Sequence, residues 1–92
     1  SRGWPELEPW LSARRRDARA MAVHYSGELR LEQAVPALIS LLEDRRNPDR
    51  DGAARALRLI GNPEARRALT TAADDEDPDV AAEVSKALAA QS

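Results

Sequence analysis

Histidine and cysteine are the residues that most often bind metals or carry out nucleophilic chemistry, and this sequence has very few of them. His24 is the only histidine, and the absence of cysteine excludes disulfide bonds and thiolate chemistry. A hydrolytic metal site or a proton shuttle usually needs more donor groups than one imidazole supplies. We therefore interpret His24 as a structural or solvent-exposed residue. The sequence predicts no catalytic residue, no metal and no cofactor.

Four consecutive carboxylates, from Asp74 to Asp77, form the densest acidic run. Carboxylates in series can bind Ca²⁺, but this run lacks the glycine and the distant bidentate glutamate of a helix-loop-helix calcium site. We expect a solvated turn between two helices, with Asp77 capping the helix that follows.

Arginines 14, 15 and 16, together with Arg19, form the densest basic cluster, which could contact phosphates. Asp17 lies among them, no aromatic residues are interleaved to stack on bases, and the net charge of the chain is −2. Nucleic-acid binding is therefore an alternative rather than the expected function.

The charge is unevenly distributed along the chain. Residues 1–67 carry 13 arginines and 10 carboxylates, a net charge of +3, whereas residues 68–92 carry one lysine and six carboxylates, a net charge of −5. The composition is alanine-rich, with 18 alanines and no phenylalanine. Alanine favours helices and lets them approach closely. We expect an all-α protein forming a single domain over residues 1–92.

Three dipeptides predict helix starts at a constant interval of 15 residues: Asn47-Pro48, Asn62-Pro63 and Asp77-Pro78. Asn and Asp are good N-caps, and proline is tolerated at the first helical position. The spacing predicts helices over 48–60, 63–74 and 78–90, and the same interval counted backwards predicts another over 32–45.

The helices form a repeating pair, which we label A and B. One pattern marks the A helices (Arg19-Ala20-Met21, Arg55-Ala56-Leu57, Lys86-Ala87-Leu88), and alanine followed four residues later by leucine marks the B helices (Ala34 and Leu38, Ala65 and Leu69). The repeat length is about 31 residues, and Gly27 and Gly61 are the expected C-caps. Residues 5–26 are interpreted as an N-terminal cap or half-repeat and the first A helix, as one helix or two. Trp10, near Trp4, is expected to cover the open end of the stack.

The string from Asn47-Pro48-Asp49 through Ala54-Arg55-Ala56-Leu57-Arg58-Leu59-Ile60-Gly61-Asn62-Pro63-Glu64-Ala65 to Ala68-Leu69 resembles the short HEAT-like repeat of the phycobilisome-lyase type. Asp77-Pro78-Asp79-Val80 and Glu32-Gln33-Ala34-Val35-Pro36-Ala37-Leu38 fit the same pattern. The resemblance implies an α-solenoid of stacked antiparallel helix pairs, about five to six helices in all, with the B helices on the concave side. Repeats of this kind serve in pigment-attachment chaperones, scaffolds, adaptors and regulatory domains.

The expected concave surface supplies the candidate binding residues. When the B helices are aligned on Leu38 and Leu69, seven polar residues fall on it: Ser40, Glu43, Arg66, Arg67, Thr70, Thr71 and Asp74. Hydroxyl groups flanked by arginine and carboxylates suit a polar peptide or a protein surface.

We therefore expect a cytoplasmic, non-catalytic protein–protein interaction or scaffold module whose partner is another protein. The alternatives are a client-binding subunit of the pigment-lyase type and a nucleic-acid-binding domain. No apolar run is long enough to span a membrane. Val80, Val84 and Leu88 have no following helix to cover them, so further repeats or a second copy should pack at the helix over 78–90.

Overall fold

The computed structural model describes Pro9, Leu11 and residues 16–90. This part of the chain contains helices and no strands, which confirms the all-α prediction. The five α-helices are α1 (Arg16–Glu28), α2 (Val35–Glu43), α3 (Arg50–Ile60), α4 (Pro63–Thr71) and α5 (Pro78–Ala90). A 3-10 turn precedes α2 at Glu32–Ala34, and another follows α4 at Ala72–Asp74.

The helices form two layers. In the A layer, α3 packs between α1 and α5; in the B layer, α2 packs against α4. Successive helices from α2 to α5 also contact each other across the layers. Short connections between consecutive packed helices are typical of antiparallel helix hairpins. The arrangement is that of a HEAT-like repeat stack.

A shift of 31 residues relates the two units of the stack. Three buried residues of α1 correspond to three buried residues of α3 (Ala22 to Ala53, Val23 to Ala54, Ser26 to Leu57), and the buried Ala34 and Leu38 of the first B helix correspond to Ala65 and Leu69 of the second. The predicted match of Arg19-Ala20-Met21 to Arg55-Ala56-Leu57 is wrong, because Met21 is exposed and Ser26 takes the place of Leu57. Short alanine-containing strings recur by chance in an alanine-rich helix, so such a match does not fix the register.

The apolar core lies between the two layers. Its largest fully buried side chains include Leu38, Leu57 and Leu69. Val80 and Val84, expected to be uncovered, are only 0% and 2% exposed, because α5 packs against both α3 and α4. The expectation of an open stripe is therefore wrong for these two valines, and only Leu88, at 40% exposure, fits it.

The helices α1 and α3 are terminated by different residues. Gly61 takes a left-handed conformation with φ of 63°, as expected for the C-cap of α3. Gly27 lies inside α1 instead, and Arg30 takes the left-handed conformation with φ of 52°. The N–H of Arg30 donates to the carbonyl of Gly27, and that of Leu31 donates to Ser26. This pattern is a Schellman motif with arginine in the position that glycine usually fills.

Close packing explains why Gly27 is not the cap. A Cβ atom on Gly27 would lie 2.8 Å from Cα of Ala56, so the backbones of α1 and α3 touch at this point. The alanine-rich composition predicts such an approach, and the glycine is needed for it rather than for the turn.

Two of the three predicted N-caps are present. Asn62 Oδ1 accepts a hydrogen bond from the N–H of Ala65 at 2.9 Å, and Asp77 Oδ1 accepts one from Asp79 at 2.9 Å. Asn47 behaves differently, because α3 begins at Arg50 rather than at Pro48. Asn47 Oδ1 accepts from the N–H of Asp49, and its Nδ2 donates to the carbonyl of Leu41. Asn47 therefore fixes the turn onto the end of α2 and does not cap α3.

Candidate functional site

The seven predicted binding residues lie on one side of the B layer. α2 carries Ser40 and Glu43, α4 carries Arg66, Arg67, Thr70 and Thr71, and Asp74 ends the 3-10 turn after α4. All seven are exposed, whereas Leu38 and Leu69 on the opposite sides of the same helices are buried. We call the surface formed by these seven residues the B face.

Arg66 and Arg67 are the principal positive charges of the B face. Both guanidinium groups are exposed, and neither forms an ion pair with a described carboxylate. By contrast, Arg16, Arg55 and Arg58 each form a salt bridge. An unpaired guanidinium presents five N–H donors in a planar group, which suits the carboxylate of a partner.

The two threonines of the B face use their hydroxyl groups within the helix. Thr70 Oγ1 donates to the carbonyl of Arg66 at 2.9 Å, and Thr71 Oγ1 donates to that of Arg67 at 3.0 Å. Their hydroxyl protons are therefore occupied, while the oxygen lone pairs and the methyl groups remain on the surface. A partner group would donate hydrogen bonds to these threonines or pack against them.

A cleft of about 170 Å³ lies between the C-terminal ends of α2 and α4. Two residues of the B face, Glu43 and Thr71, line it from opposite helices, so the structure brings these two together. The other lining residues are Leu42, Arg45, Arg50, Ala68, Ala72 and Asp75. The cleft thus combines apolar groups with charged ones, which is typical of a groove that accepts one side chain of a partner.

This cleft is bordered by an ion pair that the sequence did not predict. Arg50 Nη1 donates to Asp75 Oδ1 at 3.0 Å, and Arg50 Nη2 donates to Asp75 Oδ2. Arg50 Nε also donates to the carbonyl of Leu42 at 2.7 Å. The two side chains are only 11% and 8% exposed. Since all of these bonds lie within the chain, the pair supports the fold and is not available to a partner.

The ion pair changes the ionisation of both groups. The hydrogen bonds from Arg50 lower the pKa of the Asp75 carboxyl, although burial alone would raise it. The hydrogen bonds to Asp75 raise the pKa of Arg50 in the same way. The expectation that Asp74 to Asp77 form a solvated turn is therefore wrong for Asp75, while Asp77 caps α5 as predicted.

Most charged residues of the A layer are also paired. Two basic residues of the A-helix pattern form salt bridges: Arg55 with Glu28 at 3.0 Å, and Lys86 with Glu83 at 3.2 Å. Arg58 forms a second salt bridge with Glu83, from its Nε to Glu83 Oε2 at 3.0 Å. Burial of Glu83 opposes its ionisation, but hydrogen bonds from Arg58 and Lys86 outweigh burial, and the pKa of Glu83 is lowered.

The basic cluster at the start of α1 is described only in part. Arg16 is exposed, and both its Nε and its Nη2 donate to Asp49, at 3.0 Å and 3.2 Å. Arg14 and Arg15 lie outside the described residues, as do Trp4 and Trp10. Leu11, one residue after Trp10, is buried at 4% exposure.

His24 lies on the exposed side of α1, with its ring edge-on to that of Tyr25 at a centroid distance of 5.4 Å. In the part of the chain that the structure describes, no three His, Asp or Glu residues are grouped so that they could hold a metal ion. The described helices include none with the length and apolar character needed to cross a membrane.

A family model for HEAT repeats matches residues 4–89, which is nearly the whole chain. No curated protein and no solved structure is significantly similar to it. The match covers both units of the stack, and the two layers of helices related by a 31-residue shift are what such repeats form. The chain belongs to the HEAT repeat family.

Proposed function

We propose that this protein is a non-catalytic protein–protein interaction module that binds its partner through the B face. HEAT repeats generally mediate interactions between proteins. Stacked repeats bury one side of each helix and leave an extended surface on the other, which is the surface such proteins use for binding. The observation that carries the proposal is the pair of exposed guanidinium groups on that surface, Arg66 and Arg67, which have no ion-pair partner among the described residues.

The chemistry of the B face favours a polar partner segment that contains carboxylates. Carboxylates of the partner would accept hydrogen bonds from Arg66 and Arg67. The cleft beside Glu43 and Thr71 would receive a side chain with an apolar stem, which would lie on Leu42. Interfaces of this kind are mostly polar at the edge, with a few well-buried anchors.

A charge-reversal experiment tests the role of the B face. The double variant Arg66→Glu/Arg67→Glu is compared with the wild type and with Arg30→Glu/Arg46→Glu, a control with the same charge change at two exposed arginines that are not among the seven residues of the B face. The three immobilised proteins are incubated with nuclease-treated extract from the source cells, and the retained proteins are quantified by mass spectrometry. We expect the wild type and the control to retain the same proteins and the B-face variant to lose them. Equal retention by all three would refute the proposal.

A separate binding experiment with purified DNA and RNA distinguishes a nucleic-acid partner. That partner would be expected to contact the basic cluster at residues 14–16, whose described member, Arg16, lies in α1 of the A layer. Tight binding of DNA or RNA with a steep salt dependence, abolished by Arg14→Glu/Arg15→Glu, would replace our proposal. Arg16 is a weaker candidate for phosphate contact because Asp49 already binds it.

Three narrower parts of the proposal rest on sequence alone. The likeness to repeats of the phycobilisome-lyase type favours a client protein as the partner, presented to a separate catalytic chain. The scaffold role and the cytoplasmic location are likewise proposals. Purification of the natural complex, followed by identification of its subunits, would test the first two, and fractionation of the source cells would test the location.

A further inference from the structure

Three large apolar residues are exposed along one side of α1 and the residue that follows it. Met21, Tyr25 and Leu29 are 59%, 46% and 56% exposed, and they are spaced four residues apart. Residues four apart lie on the same side of a helix. Large apolar groups exposed in one contiguous stripe are typical of an interaction site, whereas single ones need no explanation.

The repeat register shows what this stripe corresponds to. Within the molecule, Gly27 of α1 contacts Ala56 of α3, and Val23 of α1 lies 3.8 Å from the Cβ position of Gly52. The 31-residue shift relates Gly52 to Met21 and Ala56 to Tyr25. Met21 and Tyr25 therefore occupy the positions through which an A helix packs against the preceding A helix of the stack.

The other end of the A layer has the matching positions. Two shifts of 31 residues relate Val23 and Gly27 to Ser85 and Ala89 of α5, and both are exposed. The salt bridge between Arg58 and Glu83 supports this register. A shift of 31 residues relates Gly27 to Arg58 and Gly52 to Glu83, and in both pairs of helices these positions lie on the facing sides. Small residues at Ser85 and Ala89 allow a second helix to approach α5 closely.

We propose that copies of this chain bind each other end to end, with α5 of one copy packed against α1 of the next. The junction resembles the packing of α3 against α5, in which Arg58 and Glu83 occupy the positions equivalent to Ala89 and Met21. The packing of α1 against α3 is too tight for it, because it leaves no room for a Cβ at the position of Gly27. Met21 and Tyr25 of one copy pack against Ser85 and Ala89 of the other, so large side chains meet small ones. The two surfaces differ, so the contact is heterologous and leaves one free end on each assembly.

The charges of the two ends favour this pairing over like-with-like contact. Residues 14–30 contain five arginines and two carboxylates, a net charge of +3, whereas residues 74–90 contain six carboxylates and one lysine, a net charge of −5. When five charges that form ion pairs within the chain are left out (Arg16, Glu28, Asp75, Glu83 and Lys86), the two net charges are +3 and −4. Neighbouring A helices have their N-terminal ends side by side, as the Arg16–Asp49 ion pair at 3.0 Å shows for α1 and α3. In the proposed junction the acidic start of α5 therefore lies beside the basic start of α1.

Two single-site variants and their mixture test the proposal. Tyr25→Glu blocks the α1 surface, Ser85→Glu blocks the α5 surface, and Gln33→Glu, in the exposed turn before α2, is a control with the same charge change. All three positions are exposed, so each variant is expected to fold, as circular dichroism would verify. In sedimentation velocity experiments we expect the wild type and the control to show an average mass that increases with concentration, while each surface variant stays monomeric. An equimolar mixture of the two variants should form a 1:1 dimer and nothing larger.

The mixture gives the decisive result, because each variant keeps the surface that the other has lost. A two-fold contact between two α1 helices would leave Ser85→Glu dimeric and would give no new species on mixing, and this would overturn the proposal. A wild type that stays monomeric at every concentration tested would also overturn it and would assign the stripe to another protein or to further repeats.

Discussion

Arg50 at the start of α3 binds Asp75 in the turn before α5 through both of its terminal nitrogens, and its Nε donates to the last turn of α2. One side chain thus links the end of α2, the start of α3 and the turn before α5. The link joins the first unit of the stack to the second, at the edge of the cleft beside the B face. The position of that cleft therefore depends on a buried pair of charges as well as on apolar packing.

Replacing Asp75 by alanine should lower the free energy of unfolding by about 3 kcal/mol, because removal of one partner leaves a poorly solvated charge on Arg50. Urea unfolding would measure the change. The control is Asp74→Ala, at an exposed neighbouring position, which we expect to change stability by less than about 0.5 kcal/mol. Equal effects of the two substitutions would show that the ion pair does not stabilise the fold.

Stability should fall in acid because of the same pair. Arg50 lowers the pKa of Asp75 in the folded state, so the carboxylate stabilises the fold at every pH above the unfolded pKa of about 3.9. That contribution is lost as the pH falls through the lower, folded pKa of Asp75. The pKa of Glu83 is also lowered in the folded state, so protonation of Glu83 adds to the loss of stability in acid. We expect the free energy of unfolding to decrease below about pH 4. The decrease should be smaller in Asp75→Asn, and an unchanged slope in that variant would contradict the assignment.

Two glycine-to-alanine substitutions should have opposite effects. Alanine at Gly27 would bring Cβ within 2.8 Å of the α3 backbone, so we expect a loss of about 1–3 kcal/mol from overpacking. At Gly52 the nearest atom would be Val23 Cγ1 at 3.8 Å, an ordinary contact. The higher helix propensity of alanine should then stabilise the protein by about 0.5–1 kcal/mol. Thermal unfolding of both variants tests this, and stabilisation by Gly27→Ala would contradict the close approach of α1 and α3.

Asn47 and Asn62 should respond differently to aspartate. Asn62 Oδ1 caps α4, and a carboxylate can accept the same bond. Asn62 Nδ2 also donates to Glu32 Oε1 at 3.2 Å, but that bond is exposed, so its loss in Asn62→Asp should lower stability by less than about 1 kcal/mol. Asn47 must also donate through Nδ2 to the carbonyl of Leu41, which aspartate cannot do. We expect Asn47→Asp to be destabilising by about 1–3 kcal/mol. If both variants unfold at the same urea concentration, Asn47 would be an N-cap after all.

The parts of the fold that depend on local chemistry could be predicted from the sequence. Asn62, Asp77 and Gly61 take their expected roles because a cap needs only a few adjacent residues. The Arg50–Asp75 pair could not be predicted, since nothing in the sequence shows which of several arginines meets which of four neighbouring carboxylates. The prediction that Gly27 caps α1 is wrong because the requirement for close helix packing outweighs the usual preference for glycine at a left-handed position.

The exposure of the candidate binding residues was predictable to a similar degree. Alignment of the B helices was enough to place Ser40, Glu43, Arg66 and Arg67 on the surface, since burial follows the helical period. The cleft between α2 and α4 depends on how two helices and the turn at Asp75 pack together, and periodicity carries no information on that geometry.

Site-specific photocrosslinking in the source cells tests the central claim most directly, because it captures a partner whose identity is not known beforehand. A photoreactive amino acid is placed at Ser40 or Thr70 on the B face, or at the exposed Ala20 or Ala82 of the A layer as a control. We predict that both B-face positions crosslink to the same protein, that the A-layer positions do not, and that Arg66→Glu/Arg67→Glu abolishes the adduct. Adducts formed only from the A layer, or only with nucleic acid, would contradict the claim that this HEAT repeat protein binds a protein partner through its B face.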